Sequence, residues 1–229
     1  MMRVLRSWHD LPECMRNESV YPYYAVLQKH RLALAIKRVF DIAASLILLG
    51  VLWPVFLVLA VMIKADSRGP VFFRQTRITQ YGKEFRIFKF RTMVSDAAKA
   101  ETQVTVTNDS RITNAGRRIR NCRLDELPQL FNVLSGDMSF VGTRPEVPKY
   151  VTAYSPEMHA TLLLPAGITS VASIVFKDEA ELMDGEQDVD TAYIQKVLPE
   201  KMRYNLAEIK DFSLINQLVT MLQTIRAVL

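Results

Sequence analysis

The sequence predicts an α+β fold that is mainly helical, with an N-terminal re-entrant membrane helix, a small β-hairpin and amphipathic helices at the membrane surface. The membrane helix is predicted by an uncharged apolar run over residues 42–63. Two short apolar and basic segments around a Tyr81-Gly82-Lys83 turn predict the hairpin, with strands at 71–74 and 85–90. Helical spacing of apolar residues predicts further helices, namely 112–122, one that starts near Asp125, 193–210 and 213–228.

The apolar run has 22 residues, enough at about 1.5 Å per residue to cross a bilayer core of about 30 Å. Pro54 lies near its middle and is expected to bend the helix. Basic residues, which prefer the cytoplasmic side, flank both ends: Arg31, Lys37, Arg38, Lys64 and Arg68. A hairpin that enters the membrane and returns satisfies both facts better than a crossing. A buried helix of a soluble protein is the alternative.

Charge is unevenly distributed along the 229 residues, whose net charge is +5. Residues 68–120 hold twelve Lys/Arg against four Asp/Glu, whereas residues 178–229 hold ten acids against five bases. The basic segment predicts an anionic partner such as phosphates or acidic lipid. Cys14 and Cys122 form no CxxC pair and the three histidines have no zinc spacing, so neither a disulfide framework nor a zinc site is expected. The first 35 residues predict no signal peptide.

Asp125 and Glu126 are two adjacent carboxylates at a predicted helix N-terminus. The helix is indicated by an apolar stripe at i, i+3, i+4 and i+7, formed by Leu127, Leu130, Phe131 and Leu134. Pro128 fits its first turn. A helix N-terminus attracts phosphate, and four arginines lie just upstream: Arg117, Arg118, Arg120 and Arg123. From these residues alone, an acidic helix cap and a catalytic pair both stay open.

Several motifs around this pair resemble one family. The run from Arg123 to Gly142, RLDELPQLFNVLSGDMSFVG, closely resembles the core motif of the bacterial sugar transferases, the monotopic phosphoglycosyl transferases. Four more blocks resemble family motifs in the family's order: KRVFD (37–41), DSRGPVFFRQ (66–75), KFRTM (89–93) and DSRIT (109–113). The chain departs from the family pattern at Arg123, usually serine, at Thr143, usually proline, and at Ser170, usually glycine.

The resemblance implies an enzyme that takes a UDP-sugar and a polyprenyl (undecaprenyl) phosphate and yields UMP and a polyprenyl-diphosphate sugar. It implies Asp125 as nucleophile of a covalent aspartyl intermediate, and Mg²⁺ held by Asp125 and Glu126. Six further residues are expected to bind the substrates: Lys89, Arg91, Arg111, Arg120, Arg144 and Pro145. The expected location is the cytoplasmic face of the bacterial inner membrane, in the first membrane step of polysaccharide or glycoconjugate synthesis.

The resulting division of the chain is an N-terminal appendage (1–35), the re-entrant helix (36–66), a catalytic core (67–165) and a C-terminal helical region (166–229). Three rival functions stay open from the sequence: an idle membrane adaptor, a nucleic-acid binder and a metal-dependent phosphohydrolase. The apolar run argues against the nucleic-acid binder, and no nucleic-acid partner is expected. For the apolar stripe of the last helix, core packing and a membrane-facing surface are both open. The sequence names neither the sugar nor the oligomeric state.

Overall fold

A computed structural model describes residues 4–94, 110–177 and 188–228. The described chain is mostly helical with two small sheets, as expected for the α+β class. Its α-helices are α1 (Tyr21–Lys29), α2 (Arg31–Asp66), α3 (Asn114–Asn121), α4 (Gln129–Ser135), α5 (Pro148–Val151), α6 (Val171–Val175), α7 (Val189–Ala192), α8 (Leu198–Lys210) and α9 (Leu214–Val228). Its strands are β1 (Phe72–Ile78), β2 (Glu84–Phe90), β3 (Met138–Val141) and β4 (Ala166–Thr169). Asp109 of the DSRIT block lies outside the described residues.

The predicted β-hairpin is confirmed. β1 pairs with β2 in antiparallel register from Phe72 opposite Phe90 to Ile78 opposite Glu84. The turn contains Tyr81 (φ 60°) and Gly82 (φ 75°), and the second is a conformation that glycine adopts without strain. β1 extends four residues beyond the predicted end at Arg74, because its backbone continues to pair with β2 through polar positions.

Helix α2 runs through Pro54 as one helix of 36 residues, and both of its ends pack on the same globular body. Near its start, the Asp41 carboxylate accepts hydrogen bonds from the Ser139 hydroxyl (2.8 Å) and the Phe140 amide (3.2 Å). Near its end, Leu59 and Ile63 pack in a cluster with Phe90 and Ile119 of the globular part. The bend expected at Pro54 stays a prediction.

The middle of α2 carries many solvent-exposed apolar side chains: Leu46, Ile47, Leu48, Val51, Trp53, Leu57 and Val58. The helix is long and apolar enough to cross a membrane, yet only 11% of its most apolar window is buried. A core helix of a soluble protein buries such side chains, so that alternative does not describe α2. The exposed segment therefore requires an apolar environment.

The β3–β4 pair is a parallel two-stranded sheet that the sequence pattern did not predict. Next to this pair, the backbones of Gly142 and Gly167 cross closely. The Gly142 amide donates to the Thr169 carbonyl and the Gly167 amide donates to the Thr143 carbonyl, each at 2.9 Å. A Cβ on Gly167 would lie 2.1 Å from the Gly142 carbonyl oxygen, so only glycine fits. This crossing fixes the path of the loop that follows β3.

The N-terminal residues are part of the largest hydrophobic cluster. Leu5, Met15 and Leu27 are buried there together with residues such as Leu163 and Met202 from the second half of the chain. The division into appendage, core and C-terminal region stays a prediction.

The two predicted C-terminal helices are present. The first is a continuous helical stretch from Val189 to Lys210 that includes one π-helical turn, and the second is α9. Within the predicted stripe of α9, Leu218 and Ile225 are about half exposed, so core packing of that stripe is wrong for these two residues. Thr220 occupies the buried face instead. The spacing of the stripe indicates an apolar face without showing what covers it, so the sequence left both alternatives open.

Candidate active site

The dyad of Asp125 and Glu126 lies in a single 3₁₀ turn, Leu124–Glu126, between α3 and α4. Arg123 has a left-handed backbone (φ 54°), which ends α3 and reverses the chain into the turn. The predicted helix start near Asp125 is therefore wrong, since α4 begins at Gln129. The apolar stripe continued across both elements because Leu124 and Leu127 pack on the same cluster beneath the turn.

Glu126 is held by two cations. Its Oε1 accepts a hydrogen bond from Lys89 Nζ at 2.8 Å and another from Arg144 Nη2, and its Oε2 accepts from Arg144 Nη1 at 3.3 Å. Burial alone would raise the pKa of this carboxyl group, but the charges of Arg144 and Lys89 outweigh it and hold the pKa well below its usual range. Glu126 is therefore ionised throughout the physiological range.

Asp125 has a different environment from its neighbour. Only 6% of the residue is exposed, and no group in the described parts of the chain donates a hydrogen bond to its carboxylate. Burial raises its pKa; the nearby charge of Lys89, and then those of Arg120 and Arg144, oppose the rise, while Glu126 adds to it. Asp125 is thus a poorly solvated carboxylate close to several positive charges. These two conditions leave an anion reactive.

Helix α4 and strand β2 keep the dyad turn and Lys89 in place. The side chain of Asn132 on α4 pairs with the free edge of β2, accepting from the Phe88 amide at 2.8 Å and donating to the Arg86 carbonyl at 3.1 Å. Lys89 follows directly, so its side chain reaches Glu126 from a fixed backbone. In the sequence, only its place in the motif from Arg123 to Gly142 distinguishes Asn132.

Buried polar groups hold the loop that carries Arg144 in place through hydrogen bonds. The Arg77 guanidinium donates to the Pro145 carbonyl at 3.1 Å, and the Ile78 amide donates to the Glu146 carbonyl at 2.9 Å. The Glu146 carboxylate accepts from the Tyr193 hydroxyl at 2.7 Å. Lys201 donates to that hydroxyl at 2.9 Å, so helical residues from the C-terminal region help to place Arg144.

This supporting network was missed by sequence reasoning. Glu146 directly follows Arg144 and Pro145, and that adjacency was the one available signal. Tyr193 and Lys201 come from a distant helical stretch, and no local pattern connects them with the loop.

The structure brings together some of the expected substrate-binding residues and not others. Lys89, Arg120 and Arg144 surround the dyad. Arg91 is buried instead at the C-terminal end of α2, where its guanidinium donates to the carbonyls of Arg68 (2.6 Å) and Ser67 (2.8 Å). Arg111 lies beside the bridge between Met93 and Ile112, and no hydrogen bond or ion pair within the described segments joins it to the dyad.

Gly116 in α3 lies directly against the backbone of Thr92. A Cβ at this position would lie 2.1 Å from the Thr92 carbonyl oxygen. The helix that carries Arg120 can approach the end of the hairpin this closely only because residue 116 is glycine.

The residues present fit a divalent cation that takes most of its ligands from a substrate. Within the described segments no cluster of three or more His, Cys, Asp or Glu side chains forms a complete metal cage. Mg²⁺ is commonly held by one or two carboxylates plus substrate phosphates and water. Asp125, whose oxygens accept no hydrogen bond from the part of the chain that the structure describes, together with ionised Glu126 provides such a pair.

An open cavity of about 370 Å³ adjoins the dyad. Its lining includes Glu126, Arg144 and Lys201 as well as Leu48 and Leu52 of α2. The site is therefore connected to the membrane-type helix by a continuous depression, and it can receive a ligand that is both anionic and apolar.

Comparisons with known proteins identify one family. The model of the bacterial sugar transferase family matches residues 32–229. An Aeromonas hydrophila UDP-N-acetylgalactosamine-undecaprenyl-phosphate N-acetylgalactosaminephosphotransferase is 37% identical over 85% of this chain and 44% of its own length. A Bacillus subtilis putative undecaprenyl-phosphate N-acetylgalactosaminyl 1-phosphate transferase is 41% identical over 59% of this chain and 75% of its own.

A third relative, a UDP-glucose:undecaprenyl-phosphate glucose-1-phosphate transferase of Xanthomonas campestris, is 50% identical over 49% of this chain and 23% of its own length. The chain thus spans less than half the length of the Aeromonas and Xanthomonas relatives. The family match covers α2, the hairpin, the dyad turn and the C-terminal helices together. The chain therefore belongs to the bacterial sugar transferase family.

Proposed function

We propose that the chain transfers a sugar 1-phosphate from a UDP-sugar to undecaprenyl phosphate, giving UMP and an undecaprenyl-diphosphate sugar. The observation that carries this proposal is the environment of Asp125, a buried carboxylate without a hydrogen bond in the described segments, facing Lys89, Arg120 and Arg144. The names of the relatives describe the same class of reaction on undecaprenyl phosphate.

In the first step, a carboxylate oxygen of Asp125 attacks the sugar-bearing phosphorus of the UDP-sugar. The bond from this phosphorus to the bridging oxygen breaks, and UMP leaves with that oxygen. In the second step, a phosphate oxygen of undecaprenyl phosphate attacks the same phosphorus and releases the Asp125 carboxylate. Two easier displacements replace one, and the nucleotide leaves before the lipid reacts.

The cations around the dyad make the first step feasible. A carboxylate that approaches a diphosphate at ~4 Å meets a repulsion on the order of 4 kcal/mol at an effective dielectric constant of 20. Lys89, Arg120 and Arg144 offset this repulsion, and they are placed before the substrate arrives. Glu126 holds Lys89 and Arg144 in position through its own charge.

Asp125 and Glu126 would hold Mg²⁺ jointly with phosphate oxygens of the substrate. When bound, the cation supplies positive charge that neutralises the diphosphate and the leaving UMP.

The exposed middle of α2 enters the membrane as a re-entrant hairpin, with the globular part on the cytoplasmic face. Two observations support this arrangement: both ends of α2 pack on one body, and basic residues stand at both ends of the apolar segment. Pro54 lies within the exposed part of α2, and a proline inside a helix favours a bend.

The test is UMP release by the membrane-bound chain against a panel of UDP-sugars, with and without undecaprenyl phosphate. We expect at least one UDP-sugar to give sustained UMP release that depends on the lipid, and Asp125→Asn to lower the rate by at least ~10³-fold. A metal-dependent phosphohydrolase would release UMP without the lipid and leave free sugar phosphate. No release with any UDP-sugar would favour an adaptor and contradict the proposal.

A further inference from the structure

The cavity beside the dyad is lined by both charged and apolar side chains. Its charged lining consists of four cationic residues, Arg123, Arg144, Lys177 and Lys201, and one carboxylate, Glu126. Most of its other lining residues are apolar: Leu127, Leu130, Phe140, Ile168, Ile174, Phe176 and Ala227, together with Leu48 and Leu52 of α2. A ligand complementary to this lining has an anionic head and an apolar body.

The hydroxyl groups along the apolar wall are already paired with one another. Thr169 Oγ1 lies 2.7 Å from Thr224 Oγ1, and Ser173 Oγ lies 3.1 Å from Ser170 Oγ. Each of these hydrogen bonds uses part of the hydrogen-bonding capacity of the hydroxyls, and most other lining residues are apolar. The wall therefore offers few side-chain partners for a uracil or a sugar, both of which need several hydrogen bonds.

The position of Leu48 and Leu52 links the cavity to the exposed segment of α2. Leu48 is one of the exposed apolar side chains of that segment, and Leu52 follows one helical turn later. An apolar chain that leaves the cavity along this side stays on apolar surface. Thr224 and Ala227 of α9 also line the cavity.

From these observations we infer that the cavity binds the phosphate and the first isoprenoid units of the lipid acceptor, and that α9 forms the wall of this acceptor site. The inference rests on the proposed function and deepens it by assigning α9, which contributes no residue to the dyad, a role in acceptor binding. The cationic side chains of the lining receive the phosphate within reach of Asp125. The isoprenoid chain runs between α9 and α2.

Filling the cavity tests the inference. Ala227→Phe and Ser173→Phe place a ring in the cavity from two different elements. Leu222→Phe is the matched control, because it places the same ring elsewhere on α9. Leu222 is 61% exposed and does not line the cavity. The Michaelis constants for UDP-sugar and for undecaprenyl phosphate are measured separately in one detergent or nanodisc preparation.

We expect each cavity variant to raise KM for undecaprenyl phosphate at least 10-fold and to change KM for UDP-sugar less than 2-fold, with Leu222→Phe unchanged in both. A cavity variant that leaves the lipid KM unchanged, or that raises the UDP-sugar KM equally, overturns the inference. If wild-type chain releases no UMP at all, the proposed function itself has failed, so the two failures are distinguishable.

A second measurement covers the case in which the variants do not fold. An undecaprenyl phosphate analogue with a diazirine in its first isoprenoid unit is photolysed with wild-type chain, and the labelled peptides are identified. Labels on residues 168–176 and on α9 are expected, and an excess of unmodified undecaprenyl phosphate should remove them. Competed labels confined to other parts of the chain would overturn the inference.

Discussion

Lys89 Nζ lies 2.8 Å from Glu126 Oε1, and this contact ties the dyad turn to the end of strand β2. Both side chains are largely buried, with exposed fractions of 21% and 13%. The electrostatics of the dyad therefore depend on the hairpin, because the position of Lys89 is set by the pairing of β1 with β2.

Replacing Lys89 by methionine should damage both stability and activity. The change leaves Glu126 with Arg144 as its remaining cation among the contacts described above, and breaking a buried ion pair costs on the order of 3–5 kcal/mol. It also removes one charge that favours attack by Asp125, so kcat for UMP release should fall by at least ~10²-fold. Chemical denaturation and steady-state kinetics measure the two effects.

Lys83→Met is the matched control for this prediction. Lys83 lies in the same hairpin and pairs with Asp137 at 3.0 Å, but its side chain is 68% exposed. Surface pairs contribute about 0–1 kcal/mol, so this variant should keep its stability and activity. Equal losses for Lys83→Met and Lys89→Met would mean that the buried contact has no special role.

Replacing Arg120 by glutamine should shift the acid limb of the pH–rate profile to higher pH. Arg120 lowers the pKa of Asp125, which burial raises, so removing its charge raises that pKa further. At a given acidic pH a smaller fraction of Asp125 is then ionised and able to attack. The measurement is kcat/KM for UDP-sugar against pH, with Arg118→Gln, an exposed arginine of the same helix, as control. An unshifted limb would show that Asp125 does not respond to Arg120.

Replacing Tyr193 by phenylalanine should lower kcat by about 10-fold without preventing folding. The variant removes the hydroxyl that joins Glu146 to Lys201 and leaves a buried carboxylate less satisfied, at a cost of about 1–3 kcal/mol. Arg144 is two residues from Glu146 and loses part of its support. Tyr150→Phe is the control, because the Tyr150 hydroxyl bonds Asp190 and not Glu146. A loss of activity as large in Tyr150→Phe would indicate a general packing defect.

Glu208 should make the stability of the chain depend on pH. Burial raises its pKa to about 7 from an ordinary 4.5, although the Val171 amide and Lys37 oppose the rise. The folded chain thus favours the protonated carboxyl, so this contribution to stability is full below about pH 4.5 and is lost as pH rises through about 7.

Glu208→Gln should therefore stabilise the chain by up to about 3 kcal/mol at pH 8 and by much less at pH 5, because one pKa unit corresponds to about 1.4 kcal/mol. The glutamine oxygen can still accept from the Val171 amide, which lies 3.1 Å from the carboxylate. Thermal or chemical unfolding at both pH values measures the difference. A gain or loss that is the same at pH 5 and pH 8 would contradict the assignment.

The sequence predicted the elements whose signal is local. The hairpin and α2 follow from the alternation and apolarity of contiguous residues, and the C-terminal helices follow from their spacing. The start of α4 was predicted four residues too early, because Leu127 of the apolar stripe lies in the turn before α4 and apolar spacing does not distinguish that turn from a first helical turn. The resemblance located the dyad, and the structure adds its different electrostatic environments.

Contacts between distant segments could not be predicted in this way. The pairing of β3 with β4 joins strands of four residues each across a long stretch of chain, and its close glycine crossing is visible only in three dimensions. Arg91 was expected at the substrate because of its place beside Lys89, but its guanidinium binds the end of α2. The support of Arg144 by Tyr193 and Lys201 is likewise a product of tertiary packing.

The most direct test of the account is intact-mass and peptide mass spectrometry of the chain after incubation with its UDP-sugar in the absence of lipid acceptor. The account predicts a mass increase of one sugar phosphate on the peptide that contains Asp125, its loss when undecaprenyl phosphate is added, and no adduct on Asp125→Asn. An adduct on another residue, or normal turnover by Asp125→Asn, would contradict it.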